Sequence, residues 1–294
     1  MTASANEFSS EPFVVSIVMR DGDPAGVKVI EKSNWSGAGL EIPRPLLPSA
    51  LKRDELSRPG VYILVGPPQD SELPTVYVGE GDVVRARIAQ HEKLKEFWTH
   101  AVVFTSSANR LNKAHVRYLE SSLVSMATAA KRCNLENGNA PQIPALSEGD
   151  MAEVGGFLTN LVQLLGVLGY RYFEKPAVKK SDQLQFTINS KGIEAKGYES
   201  SGGFIVIAGS AAIAVEVPSI QRHIRDTREA LIEKAIMATQ GDHFIFTQNY
   251  EFSSPSTAAG TVLGRSANGR SEWKTDDGRS LSDVQSAATG SEAT

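Results

Sequence analysis

The chain has 294 residues, 41% apolar and 22% charged, a globular composition that excludes a wholly disordered, fibrous or membrane-embedded protein and leaves room for about two domains. A net charge of −4 gives no bulk attraction to nucleic acid, so a polyanionic partner needs a local basic surface. The single cysteine, Cys133, excludes an internal disulfide and a thiolate zinc site and fits a reducing, cytoplasmic setting.

The opening MTASANEFSSEPF has neither a basic n-region nor an apolar core, so no signal peptide is expected. In that setting the Asn34-Trp35-Ser36 sequon is an accident. Residues 13–19 (FVVSIVM) and 27–30 (VKVI) are β-branched runs split by the turn cluster Asp21-Gly22-Asp23-Pro24; they predict paired strands and an N-terminal β element over residues 1–57. Pro43, Pro45 and Pro48 mark an irregular connection. A second unit, residues 58–173, opens with strands at 61–65 and 75–79, antiparallel and joined by a proline-containing loop. Asp82 is expected to cap a helix reaching about Trp98. Residues 100–105 form a third strand, Asn109 caps a helix to about Lys131, and 150–172 form another amphipathic helix.

Residues 174–182 (EKPAVKKSD) have linker composition. Beyond them, strands are expected near 184–188, 203–208 and 211–217, the last two as a buried hairpin, followed by a helix over 218–238 and a strand at 243–247. Ser254-Pro255 opens a short helix with proline in the permitted first turn, and Asp276-Asp277-Gly278 is a hairpin turn. This mixed α/β domain spans 183–285, and the small polar residues of 286–294 predict a disordered tail.

The candidate chemistry lies in the second unit. Gly60-Val61-Tyr62 and Tyr77-Val78-Gly79 sit on the paired strands; Arg87 stands eight residues past Gly79, His91 four beyond that, and a later helix carries Tyr118-Leu119-Glu120, followed by Asn134 and Asn137. In this order the residues resemble the GIY-YIG nuclease family, with valine replacing isoleucine in both tripeptides. The resemblance covers about residues 60–139. The flanking segments GDPAG…EKSNWSG and FSSPSTAAGTVLGRSANG look like those of a bacterial subgroup, the second being similar to a domain of unknown function often found C-terminal to such nucleases; Arg270 stands where that subgroup tends to carry an aromatic residue.

The resemblance implies an α/β (α+β) fold with a small three-stranded, mainly antiparallel sheet flanked by helices. It implies an endonuclease that hydrolyses DNA phosphodiesters with one Mg²⁺ or Mn²⁺, leaving 3′-hydroxyl and 5′-phosphate ends. Glu120 would hold the ion with waters and substrate completing the shell, as Mg²⁺ sites commonly do. Arg87 would meet phosphate charge with its fork of donors, and Tyr62 and Tyr77, with His91 able to share their role, would orient or activate water. A phenol with pKa near 10 is a poor base at neutral pH, so Arg87 and the metal would have to favour the phenolate.

Charge patterning adds to this. Between Val83 and Arg117 there are seven Lys/Arg against two acids, and Arg85, Lys93, Lys113 and Asn137 are the candidates for contacting DNA. Glu120 shares its helical face with Val116, Leu123 and Ala127, so its carboxylate needs a partner or an ion. His100, His115, His223 and His243 show no ligand spacing, and Arg222, Arg225 and Arg228 read as a solvated face. The competing expectation is a catalytically inactive nucleic-acid-binding or assembly module on the same fold.

Overall fold

The computed structural model describes residues 12–68, 73–138, 141–175, 181 and 183–291. The chain divides into two compact units, Met1–Lys175 and Pro176–Thr294. The division falls inside the expected linker, of which residues 176–180 and 182 lie outside the described residues, as does the chain start to residue 11.

The first unit is a seven-stranded sheet. Its strands are β1 (Val15–Met19), β2 (Lys28–Lys32), β3 (Gly37–Pro43), β4 (Gly60–Gly66), β5 (Thr75–Gly81), β6 (His100–Ser106) and β7 (Asn134–Leu135), in the order β1-β2-β3-β6-β4-β5-β7. The three strands expected of the second unit are thus the centre of a larger sheet, and the N-terminal β element is its continuation: β3, which the sequence reading missed, pairs with β6 from Gly37↔Ser106 to Pro43↔His100. All pairs are antiparallel except β5 with β7.

Both faces of the sheet are covered, which explains the unbroken apolar run of β4. Side chains alternate along a strand, so Val61, Ile63 and Val65 enter one core and Tyr62 and Leu64 the other. The first core is closed by α3 (Lys113–Ala130) and α4 (Glu148–Val167), through residues such as Val116, Leu119, Phe157 and Leu161. The second is closed by the short α1 (Leu47–Ala50) and by α2 (Val84–Leu94), through Leu47, Val84 and Ile88.

Several helix ends differ from expectation. Helix α2 starts at Val84 without a side-chain cap; the Asp82 carboxylate lies 3.6 Å from the Lys113 ammonium. The cap of α3 is Asn112, whose Oδ1 accepts from the His115 amide at 3.0 Å, while Asn109 takes a left-handed turn conformation with φ 52°. Helix α4 ends at Val167, and Tyr172 lies in a 3-10 turn. His115 is buried between the Arg110 carbonyl (3.2 Å) and Asp150 (3.1 Å), linking α3 to the first turn of α4.

The second unit holds two sheets. One has the order β14 (Tyr250–Phe252), β10 (Gly203–Val206), β9 (Ile193–Ser200), β8 (Phe186–Ser190); the other β11 (Ala211–Ile213), β13 (His243–Phe246), β12 (Met237–Gln240). The expected hairpin of β10 and β11 is therefore corrected: the two strands part into different sheets. Helix α5 covers Arg222–Glu233 only, because Ala235 adopts φ 50° and the chain turns into β12. Helix α6 (Pro255–Leu263) is capped by Ser254 as expected. After α7 (Gly269–Glu272), the Thr275–Gly278 turn leads to α8 (Leu281–Ser291), which replaces most of the expected disordered tail; residues 292–294 lie outside the described residues. The Ser280 hydroxyl accepts from the Asp283 amide while Asp283 accepts from the Ser280 amide, a reciprocal cap that starts this helix.

Candidate functional site

The paired tripeptides are explained by strand register. Tyr62 stands opposite Gly79 and Leu64 opposite Tyr77, so the two phenols lie diagonally on one face. Their ring centroids are 6.4 Å apart. A Cβ at position 79 would sit 2.4 Å from the Tyr62 hydroxyl oxygen; only glycine lets that ring cross β5.

Helix α2 brings the next two groups. Val84, Ile88 and His91 are its buried residues, and His91 Nδ1 lies 2.9 Å from the Tyr62 hydroxyl while its ring meets Tyr77 edge-on at 4.9 Å. Burial, then Arg87 and Lys95, hold the His91 imidazole down to about 4, so it is neutral at neutral pH and can accept from Tyr62. Arg87 is exposed one turn earlier, with Nη1 donating to Gln90 at 3.1 Å.

Glu120 comes from the middle of α3. Burial and then the Glu80 carboxylate push its pKa up to about 7 against the opposing pull of Arg87, Lys113 and Arg117, and it makes no salt bridge among the described residues. Its charge also reaches both phenols. Tyr62 is raised by burial first and then by Tyr77, with Arg87 pulling down and Glu120 and Glu80 pushing up; Tyr77 is raised by burial and Glu120. The five residues form one electrostatic group, in which burial and carboxylates outweigh Arg87. Arg87 by itself therefore does not bring either phenol toward the phenolate. Tyr62 is wholly buried and Tyr77 half-buried, so Tyr77 is the phenol with an open side.

The expected DNA-contacting residues fare differently. Arg85 is half-buried and Lys93 exposed on α2. Lys113 reaches both oxygens of Glu80 at 2.9 Å. Asn137 is engaged elsewhere: its Oδ1 accepts from the Val78 amide at 2.9 Å and its Nδ2 donates to the Val78 carbonyl at 2.7 Å, so it acts as one more strand residue on the β5 edge. Sequence reasoning missed Glu80 and Lys95, whose ammonium lies 4.4 Å from the Tyr77 ring centre. The Glu80 signal was its place directly after Tyr77-Val78-Gly79, pointing away from the phenols by strand alternation. In the second unit Arg228 is no solvated residue: it is buried, bonded to Glu216 at 2.9 Å and to the carbonyls of Thr261 and Ile213.

Among the described residues no group of three or more His, Cys, Asp or Glu is disposed to hold a metal ion. The residues fit a lighter grip. A half-buried carboxylate without an ion pair, beside a second carboxylate, suits a cation that keeps most of its waters and takes one or two protein oxygens.

Residues 186–285 match the family model of a domain of unknown function, DUF4357. This DUF4357 segment spans the second unit from β8 into α8 and leaves the candidate site outside it. No curated protein and no solved structure matches the chain, and no helix among the described residues is long and apolar enough to cross a membrane.

Proposed function

We propose that the first unit is a metal-dependent DNA endonuclease of GIY-YIG type. The observation that carries this reading is the electrostatic group of Tyr62, Tyr77, Arg87, His91 and Glu120, in which Glu120 is half-buried, without an ion pair and raised to about 7. Carboxylates without partners in apolar surroundings are costly unless a cation or proton joins them.

Glu120 would hold Mg²⁺ or Mn²⁺, which when bound supplies charge neutralisation at the phosphate and at the leaving oxygen. Arg87 is exposed and can turn its guanidinium from Gln90 to two phosphate oxygens. The half-buried Tyr77 orients the attacking water by hydrogen bonding, since a raised phenol is no base at neutral pH. Tyr62 and His91 form the buried neutral pair against which Tyr77 is fixed; in this reading His91 acts through Tyr62. Attack of the water oxygen on phosphorus would break the P–O3′ bond, the water's proton passing to solvent and the departing 3′-oxygen taking one up as the 3′-hydroxyl, and would leave a 5′-phosphate.

A second reading of the same residue is favoured by its pKa. A carboxyl near 7 is matched to accept a proton at neutral pH, so Glu120 could serve as base without metal. Plasmid nicking separates these. The metal reading expects nicking that requires Mg²⁺ or Mn²⁺, stops with chelator, and falls by roughly two to three orders of magnitude in Glu120→Gln and in Arg87→Lys. Nicking indifferent to chelator but lost in Glu120→Gln supports the base reading. Equal nicking by wild type and Glu120→Gln ends both, and saturable DNA binding without nicking leaves an inactive binding module.

A further inference from the structure

The outer edge of the seven-stranded sheet takes no part in the site above. Its last strand is β1, and large apolar side chains cluster in the open there: Phe13, Val14, Ile17, Val18 and Met19 are all exposed, Val14 at 66% and Val18 at 45%. Folded proteins commonly guard such an edge with charge, proline, a bulge or a very short strand. The run from Phe13 to Met19 holds no charge and no proline, and β1 pairs with β2 over five residues in unbroken register. The opposite edge strand, β7, has only two residues.

The backbone of β1 is turned outward at alternate positions. The Ser33 amide donates to the Val14 carbonyl at 2.9 Å, and bonded pairs alternate along an antiparallel ladder. Ser16 and Val18 therefore bond to β2, while Val15, Ile17 and Met19 point their N–H and C=O groups away from the sheet. Among the described residues, the one bond to these outward groups is from the Gly22 amide to the Met19 carbonyl, 3.1 Å. Unpaired amides in a row are a template for another strand.

Symmetry and charge select that strand. An antiparallel copy of β1, related by a two-fold axis at Ile17, sets Ile17 against Ile17 and Val15 against Met19, so every outward-facing residue of β1 meets another. Such an interface is self-complementary. The same register brings Asp21 of one copy to Phe13 of the other, whose ring holds the Lys32 ammonium 4.3 Å from its centre. It also brings Arg20 to Val14, on the face of β2 that carries Glu31. Opposite charges thus meet on both faces at each end of the joint. Its extent is modest. A five-residue strand covers less than the roughly 800 Å² per partner of a standard interface, which places the association among the weak, concentration-dependent ones.

We propose that the β1 edge is a homodimer interface, through which two copies of this chain join their sheets by antiparallel pairing of β1. The proposal is independent of the nuclease reading. Sedimentation velocity on the full chain over about 1–100 μM, the range of a weak interface, tests it. The expected result is a shift with concentration from 31.6 kDa toward twice that mass. Val18→Lys places an ammonium at an exposed edge position and should weaken self-association by about tenfold or more, with an unchanged melting temperature in dilute solution. Cysteine variants read the register, and still decide the matter if the lysine variant fails to fold. Ile17→Cys should give a disulfide-linked dimer under a mild oxidant, because bonded partners lie about 5.5 Å apart between Cα atoms, within disulfide reach. Val15→Cys, set against Met19 of the second copy, should cross-link far more slowly, and the native Cys133 is buried. A chain of single-copy mass at every concentration overturns the interface, as does a dimer that Val18→Lys leaves intact, or equal cross-linking of the two cysteine variants. A full chain that stays single while the chain lacking residues 1–11 dimerises assigns the edge to the chain's own start, and overturns it as well.

Discussion

Glu120 and His91 titrate in opposite senses, and pH tests both. Folded Glu120 keeps its proton up to about 7 while its ordinary value is 4.5. Between these values the folded chain binds more protons than the unfolded one, so Glu120 makes the fold weaker as pH rises through that window. His91 is held at about 4 against an ordinary 6.5; its contribution is present above 6.5 and is lost as pH falls toward 4. A cation at Glu120 removes the cost of its charge. Mg²⁺ should therefore raise the melting temperature more at about pH 8 than at about pH 5.5, and Glu120→Gln should abolish the difference in thermal scans. The nicking rate should climb as pH rises through about 7; a rate falling over that range contradicts ionised Glu120 as the active form. At this scale the sequence offered these five residues only through the resemblance they carry in their order along the chain. It could not show which phenol is buried, nor that Asn137 spends its amide on Val78, since both follow from backbone geometry.

Strand pairing governs the next level. Asn137→Ala should leave the Val78 amide and carbonyl unpaired at the β5 edge and cost about 1–3 kcal/mol in denaturant unfolding; Asn137→Asp keeps the acceptor but sets a carboxylate oxygen against the Val78 carbonyl, so it should cost at least as much. Gly79→Ala should be worse for activity than for stability, since its methyl displaces the Tyr62 hydroxyl from His91, and a variant with unchanged kcat contradicts the geometry. Legibility at this level was uneven for physical reasons. β4, β5 and β6 announced themselves through β-branched runs buried on both faces. β3 and β9 did not: Gly37 and Gly39 interrupt the first, and Ala195 and Gly197 fill inward positions of the second with residues too small to show an alternating pattern. Helix α5 was drawn too long because the left-handed Ala235 carries no residue signal, and α8 looked like a tail because its apolar anchors, Leu281 and Val284, are followed only by small and polar residues.

At the scale of the whole chain, the two units each own a core. One is divided by the seven-stranded sheet into two layers, and the other gathers Phe186, Phe204, Trp273 and Leu281 about the DUF4357 segment. A chain ending at Lys175 should then unfold cooperatively and keep metal-dependent nicking, with altered affinity for DNA as the measure of what the second unit adds. Loss of folding in that truncated chain, seen by circular dichroism, contradicts the division. Length suggested two domains and a smaller appendage, with residues 174–182 of linker composition between them; that the N-terminal strands belong to the sheet of the site was not visible, because long-range pairing such as β3 with β6 leaves no local trace.

The pairing of Tyr62 with Gly79 makes β4 and β5 a ruler with a two-residue tick. Slippage of either strand by one position would carry one phenol to the opposite side of the sheet. Within the two strands every single-residue insertion is thus a change of chemistry.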